Sequence, residues 1–193
     1  MRMQDLYSFV FRAMLTEEAL DKTERMQRVD LASNVDVGVS ERLPLASFDE
    51  DLVARAKKMA AVYIAIAAFE NTIREFVSKL LLEEKGAEWW SDCVSQGIRQ
   101  KAESRREEEA RTRWHTPRGD ALINYTEFGD LAAIVGQNWP LFADYLEDQE
   151  WFKTIVRTVE RSRNVIMHSG ELGPQDVERV GTVMRDWINQ VGA

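Results

Sequence analysis

Cysteine is nearly absent: Cys93 stands alone in 193 residues, so no internal disulfide can form and no thiolate cluster can hold a metal. That usage fits a reducing compartment, and the expected location is the cytoplasm. Breaks are scarce as well. Four prolines and ten glycines, set among many Ala, Leu, Glu, Arg and Lys residues, leave few points where a helix must stop, which favours long helices over many short strands. No run approaches the roughly 20 uninterrupted apolar residues that span a bilayer, so no membrane role is expected. The stretch from Leu6 to Leu15 is apolar, but Arg12 interrupts it and no small-residue cleavage site follows; it reads as an amphipathic helix and not as a signal peptide. Positive charge is in deficit too, 25 Lys and Arg against 33 Asp and Glu. A chain with that balance does not coat nucleic acid broadly, because phosphate contact needs accumulated cations, and a nucleic-acid partner requires a local basic patch. Gly-rich phosphate loops, zinc-ligand spacings and serine-nucleophile motifs are missing, and neither a metal nor a cofactor is expected.

What is present is helical periodicity in a composition, 45% hydrophobic and 30% charged, ordinary for a globular chain with a sizeable core. From Asp49 to Glu84 there is no Pro or Gly, and Met59, Val62, Tyr63, Ile66, Phe69, Ile73, Val77 and Leu80 recur every three or four positions. This pattern predicts a long core helix closed by Gly86. Trp89-Trp90 opens a second helical unit that includes Val94 and Ile98. Arg99 to Arg113 has almost no apolar residue but pairs opposite charges at i,i+4, Glu107 with Arg111 and Glu109 with Arg113, so it can be helical and cannot be buried. Pro117 to Asp120 breaks the chain, Tyr125 to Val135 resumes an apolar period, and Asn138-Trp139-Pro140 starts a short helix. Trp151 to His168 and Gln175 to Val191 complete the set, separated by Ser169-Gly170 and Gly173-Pro174. The fold class is all-α. Met3 to Leu31 reads as one or two helices and Asn34 to Phe48, with Gly38 and Pro44, as a linker. The expected organisation is an N-terminal helical arm over residues 1–48 and a helical domain over 49–193.

Few residues here can do chemistry. His115 follows Trp114 in a loop with no ligand partner at metal spacing and reads as exposed and idle. Cys93 has no nearby basic partner and reads as a small packed residue. Trp89, Trp90, Trp139, Trp151 and Trp187 read as packing bulk. On a regular helix Phe152, Ile155, Val156, Val159, Ile166 and Met167 fall on one side and should enter the core. Arg157, Arg161, Asn164 and His168 form a separate polar strip, basic and ending on the best acid/base candidate in the chain. Imidazole exchanges a proton near neutral pH, guanidinium holds a phosphate with a fixed fork of donors, and a carboxamide orients either. That set suits RNA cleavage without a metal.

Arg163-Asn164 followed by His168 and a turn, late in a helical domain, resembles the Arg-x4-6-His motif of HEPN ribonucleases. The longer context resembles the Swt1-type HEPN subgroup, through Phe69-Glu70-Asn71-Thr72-Ile73-Arg74, Trp89-Trp90, Tyr125-Thr126-Glu127-Phe128-Gly129-Asp130-Leu131, Asn138-Trp139 and Arg163-Asn164 to His168, in that order. The resemblance covers roughly residues 50–190. It implies an up-down helical bundle, a homodimer, and cleavage of an RNA substrate by attack of the ribose 2′-hydroxyl on the adjacent phosphate in a cleft shared by two motifs. It also implies a place among toxins or antiphage defence effectors, with an antitoxin or regulatory protein as a partner. Carried over, His168 transfers protons, Arg163 stabilises phosphate charge, and Asn164 orients one of them; the basic strip itself makes Arg157 and Arg161 the expected RNA contacts.

Arg163 lies five positions before His168, which on a straight helix sets them roughly 140° apart and puts Arg163 on the apolar arc. Either the helix distorts near His168, or Arg163 wraps around to the cleft, or Arg163 is mainly structural. Glu70 also falls on an apolar stripe, between Ile66 and Ile73, and a charge placed there is expected to be paired. Its expected partners are Arg163 and Arg74, the latter also at i,i+4. The competing readings are a catalytically silent HEPN module that binds a protein or nucleotide, with His168 only capping a helix end, and a scaffold that docks a neighbour through the charged helix.

Overall fold

The structure, a computed structural model, describes residues 42–192; the helices expected between Met3 and Leu31 lie outside the described residues. Contacts divide the chain into residues 1–48 and 49–193. Among the described residues of the first, a 3-10 turn spans Leu45–Ser47. The second is a helical bundle, and among the described residues no strand occurs. None of the described helices is long and apolar enough to cross a membrane.

Helix α1 spans Glu50–Lys85, 36 residues, and so runs about 54 Å. Its start is set by Asp49, whose carboxylate accepts the N–H groups of Asp51 and Leu52, each at 3.1 Å, two of the donors that a helix leaves unpaired. Its end is set by Gly86 at φ 74°, where a β-carbon would be strained. Ile66, Phe69, Ile73, Val77, Leu80 and Leu81 are buried. Tyr63, expected on the same stripe, is instead exposed, because that part of α1 borders an open groove and not the core.

After the short α2 (Trp89–Cys93) comes α3, Gln96–Ala110, then a 3-10 turn over Leu122–Tyr125, α4 over Phe128–Gln137, and the short α5 over Trp139–Phe142. Helix α6 spans Gln149–Met167 and α7 spans Pro174–Val191. A capping box of Glu127 and Asp130 starts α4, and Asp148 caps α6 by accepting the Trp151 N–H at 2.7 Å. Helix α6 packs against α1, α4 and α7. Around their junction Trp187 is fully buried, stacked on Trp151 at 6.4 Å and edge-on to Phe69 and Phe76. Trp89, Trp90 and Trp139 are half-buried against the same core. Asn138 Nδ2 donates to the carbonyls of Cys93 and Ile134, both at 2.8 Å, and so ties α2 to α4. Burial pushes the Cys93 thiol above its ordinary value, which keeps it protonated and inert at neutral pH.

Helix α3 touches the core through Ile98 and Ala102 alone among its apolar residues. Among the described residues the expected pairs Glu107–Arg111 and Glu109–Arg113 do not form; the helix stops at Ala110, and Arg113 lies beyond its end. Glu109 turns instead to Arg118, whose Nε lies 2.5 Å from Oε1. Arg105 docks the helix, donating to the Tyr125 carbonyl at 2.7 Å and pairing with Glu127 at 2.8 Å and Asp130 at 3.3 Å.

Candidate functional site

Helix α6 supplies the candidate residues, and its two faces diverge as the spacing predicts over most of its length. Phe152, Ile155, Val156 and Val159 are buried, whereas Arg157, Arg161, Asn164 and His168 are exposed on the opposite strip. The last turn departs from expectation. Met167, assigned to the core, is 54% exposed, and Ile166 is only partly covered, because both line the groove that also exposes Tyr63. The groove has a volume of about 670 Å³ and is bordered by Leu52, Met59 and Tyr63 of α1 opposite Ile166 and Met167.

Glu70 is the buried charge that the pattern flagged. Its carboxylate is shared: one oxygen pairs with Arg74 Nη2, and the other lies 3.4 Å from Arg163 Nε. Arg74 also donates from Nη2 to the Thr126 carbonyl at 3.0 Å and from Nη1 to Asn71 Oδ1 at 3.2 Å. The Glu70 and Arg74 side chains are 9% and 15% exposed, but Arg163 keeps 35%. Arg163 thus leaves the apolar arc by leaning its Nε on Glu70, and neither of its terminal nitrogens has a hydrogen-bond partner among the described residues.

Helix α6 ends at His168, its C-cap. Residues through Met167 are helical, and His168 moves to φ −97°, ψ 24°. Ser169 N donates to the Ile166 carbonyl at 2.9 Å and Gly170 N to the Val165 carbonyl at 2.8 Å, the bond pair of a Schellman ending, with Ser169 at φ 61° in the left-handed region usually given to glycine. Gly170 has no room for a side chain, since a β-carbon there would lie 2.7 Å from Val165 Cγ1 and 2.8 Å from the Val165 carbonyl oxygen. Two residues on, Leu172 N donates to Met59 Sδ at 3.2 Å, pinning the exit to α1. Gly170→Ala is therefore expected to cost about 1–3 kcal/mol through forced backbone movement, read as a lower midpoint in thermal unfolding followed by circular dichroism. Ser169→Gly should act oppositely, by about 1 kcal/mol.

Among the described residues, no side-chain hydrogen bond or ion pair joins His168 to Arg163 or Asn164; the one link is from the His168 N–H to the Asn164 carbonyl, at 3.1 Å. Within one chain Glu70, Arg74 and Arg163 form a cluster, and His168 stands apart from it at the helix end. Arg161 faces a hollow of about 210 Å³ between α6 and α7 whose rim includes Thr158, Asp176 and Arg179; Arg157 does not reach it. Among the described residues no group of three or more His, Cys, Asp or Glu is placed to hold a metal. Sequence reasoning did not identify the Thr126 carbonyl, Arg105, Ser169, Gly170 or Arg179. Ser169-Gly170 was visible as a helix exit, but the left-handed Ser169 is a backbone angle that no residue pattern prints.

Neither a curated protein nor a solved structure matches this chain significantly. A family model described as Swt1-like HEPN matches residues 65–192, a span that holds the Glu70 cluster, Asn138 and the whole of α6. The chain belongs to the Swt1-like HEPN family.

Proposed function

We propose that the protein is a metal-independent endoribonuclease acting as a homodimer, with His168 and Arg163 as its catalytic residues. The observation that carries this reading is the Arg163 side chain, ion-paired through Nε with Glu70 and with no hydrogen bond from its terminal nitrogens among the described residues, on the same helix that ends in an exposed histidine. A guanidinium held in that way is prepared to meet a phosphate with two parallel donors. In the reaction, a base removes the proton of the ribose 2′-hydroxyl, whose oxygen attacks the adjacent phosphorus. The 5′-oxygen leaves with a proton from an acid, and a 2′,3′-cyclic phosphate remains. His168 carries the proton transfer, Arg163 balances the charge gathering on the phosphoryl oxygens, and Asn164 orients one of them. Glu70 and Arg74 act as positioning residues, and Arg157 and Arg161 contact flanking phosphates.

One chain offers one such histidine, and a two-sided acid/base site needs two. A second copy supplies the other if it covers the apolar groove beside His168, where Leu52, Tyr63 and Met167 are exposed; water-facing apolar surface of this kind gains by association. Membership in toxin or defence systems, with an antitoxin or regulatory partner and a cytoplasmic site of action, accords with the same reading.

The test is cleavage of a mixed RNA pool by wild type with EDTA present, with the new ends examined for cyclic phosphate. Cleavage that resists chelation and leaves cyclic ends supports the proposal; cleavage lost on chelation, or linear phosphate ends, overturns it. A second reading, a catalytically silent module that binds a protein or nucleotide, is favoured by the separation of His168 from Arg163 within one chain and by the acidic net charge of −8. Absence of cleavage together with tight nucleotide or protein binding selects it.

A further inference from the structure

Residues 111–119 carry Arg111, Arg113 and Arg118 and no Asp or Glu, in a chain whose net charge is −8. At their centre Trp114 is 86% exposed, the most exposed of the large apolar side chains among the described residues. An indole left in water forgoes one of the largest burials any side chain can make. Its neighbours do not hide it: the His115 ring meets Trp114 in a T-shape at 5.7 Å and 77°, and the indole still stays open to solvent.

The loop is nevertheless built. His115 N donates to the Thr112 carbonyl at 3.0 Å, closing a turn around Trp114, and His115 Nδ1 donates to the Thr116 carbonyl at 2.9 Å. At the far end Arg118 donates its backbone N–H to Glu109 Oε2 at 3.1 Å and sits 6.0 Å over the Tyr125 ring, while the Tyr125 hydroxyl donates to the Gly119 carbonyl at 3.0 Å. Arg118 is thereby engaged, and Arg111 and Arg113 remain exposed beside the indole. The anchor also leads to the candidate site. Thr126, next to Tyr125, accepts Arg74, and Arg74 shares Glu70 with Arg163. The displayed tryptophan and the prepared guanidinium are thus tied to one frame.

We propose that this loop is a platform for single-stranded RNA, with Trp114 stacking on one unpaired base and Arg111 and Arg113 taking the phosphates beside it. The chemical argument is the combination. Cationic side chains select an anionic chain, and a bare aromatic face selects one that offers flat rings; an unpaired base offers its face, whereas a base inside a duplex does not. A lipid surface is the poorer fit, because Trp114 is the single large apolar side chain in the loop and membrane attachment needs an extended apolar face. The identity of the nucleic acid as RNA rests on the ribonuclease reading. Arg111 and Arg113 supply the cations that phosphate contact needs beside the indole, although Glu107 to Glu109 and Asp120 flank the loop, and the platform gives substrate selection to a segment that performs no chemistry.

The test uses the full chain carrying His168→Ala, so that substrate survives, and a fluorescein-labelled single-stranded RNA of about 12 nucleotides, within the range such surfaces cover. Binding is followed by anisotropy. Adding Trp114→Ala should raise Kd about tenfold, and Trp114→Phe should restore most of the affinity. Arg113→Gln should reduce the slope of log affinity against log salt by about one. The same oligonucleotide annealed to its complement should show no dependence on Trp114. Unchanged binding by Trp114→Ala, an equal loss on duplex, or Trp114-dependent binding to phosphatidylserine vesicles in place of RNA would each overturn the proposal. Trp114-dependent RNA binding by a protein whose wild type cleaves nothing would remove the ribonuclease reading and leave the platform; cleavage by wild type with binding indifferent to Trp114 would do the reverse.

Discussion

Replacing His168 by alanine is expected to lower RNA cleavage by about 10²–10⁴-fold, the usual contribution of a positioned acid/base group, while the thermal unfolding midpoint stays unchanged. Both halves follow from the helix end. The side chain is exposed and makes no hydrogen bond among the described residues, and the bonds that shape the turn come from the backbone N–H groups of His168, Ser169 and Gly170, which alanine retains. A single-turnover assay beside a melting curve separates the two quantities. A variant that melts normally and cleaves as wild type would remove His168 from the mechanism. Mixing this variant with an Arg163→Ala chain adds a further reading: cleavage that returns in the mixture and in neither variant alone identifies a site assembled from two copies.

The largest stability effect is expected at Glu70. Glu70→Ala leaves Arg74 and Arg163 facing each other's charge with no anion between them, and the Arg74 side chain is 15% exposed. Breaking a buried pair by deleting one partner costs about 3–5 kcal/mol; the lower end applies, because Arg163, at 35% exposure, can swing toward water. With about 2–4 °C of midpoint per kcal/mol in a domain of this size, a fall near 10 °C is expected. Glu70→Gln discriminates between the roles of the carboxylate. It keeps the shape and loses the charge, so if Glu70 orients Arg163 the rate should fall beyond the loss in folded fraction, and if Glu70 only neutralises, the folded molecules should cleave as wild type does. Retention of both stability and full activity would remove the arginine-carboxylate cluster from the account.

Much of the fold can be read before any coordinates, because the long elements carry redundant signals. The stretch from Asp49 to Glu84 combines an unbroken helical period, an Asp at its start and a Gly after its end, and the helix runs from Glu50 to Lys85. The buried Glu70 is legible for a related reason, since a carboxylate on an apolar stripe demands a cation. Periodicity cannot report how far the facing elements extend, and so Tyr63 and Met167 carry the right spacing for the core yet line an open groove. Nor can local spacing foresee that α3 stops at Ala110, which frees Glu109 for Arg118. That Glu70 meets Arg163 as well as Arg74 is a consequence of the chain's path through the bundle. Trp114 shows the remaining gap: the pattern puts it in a loop, and exposure is a property of surroundings.

The shared carboxylate of Glu70 also fixes a count of charges. Two guanidinium groups meet one anion, so the cluster by itself is one negative charge short of neutrality. An anion settling on Arg163 completes the count, and whatever ligand does so stabilises the folded chain by mass action, by about 2.7 kcal/mol at a hundred times its Kd. Substrate occupancy and resistance to unfolding are then two readings of the same equilibrium, and a melting point that climbs with RNA concentration reports the affinity of the site without any bond being cut.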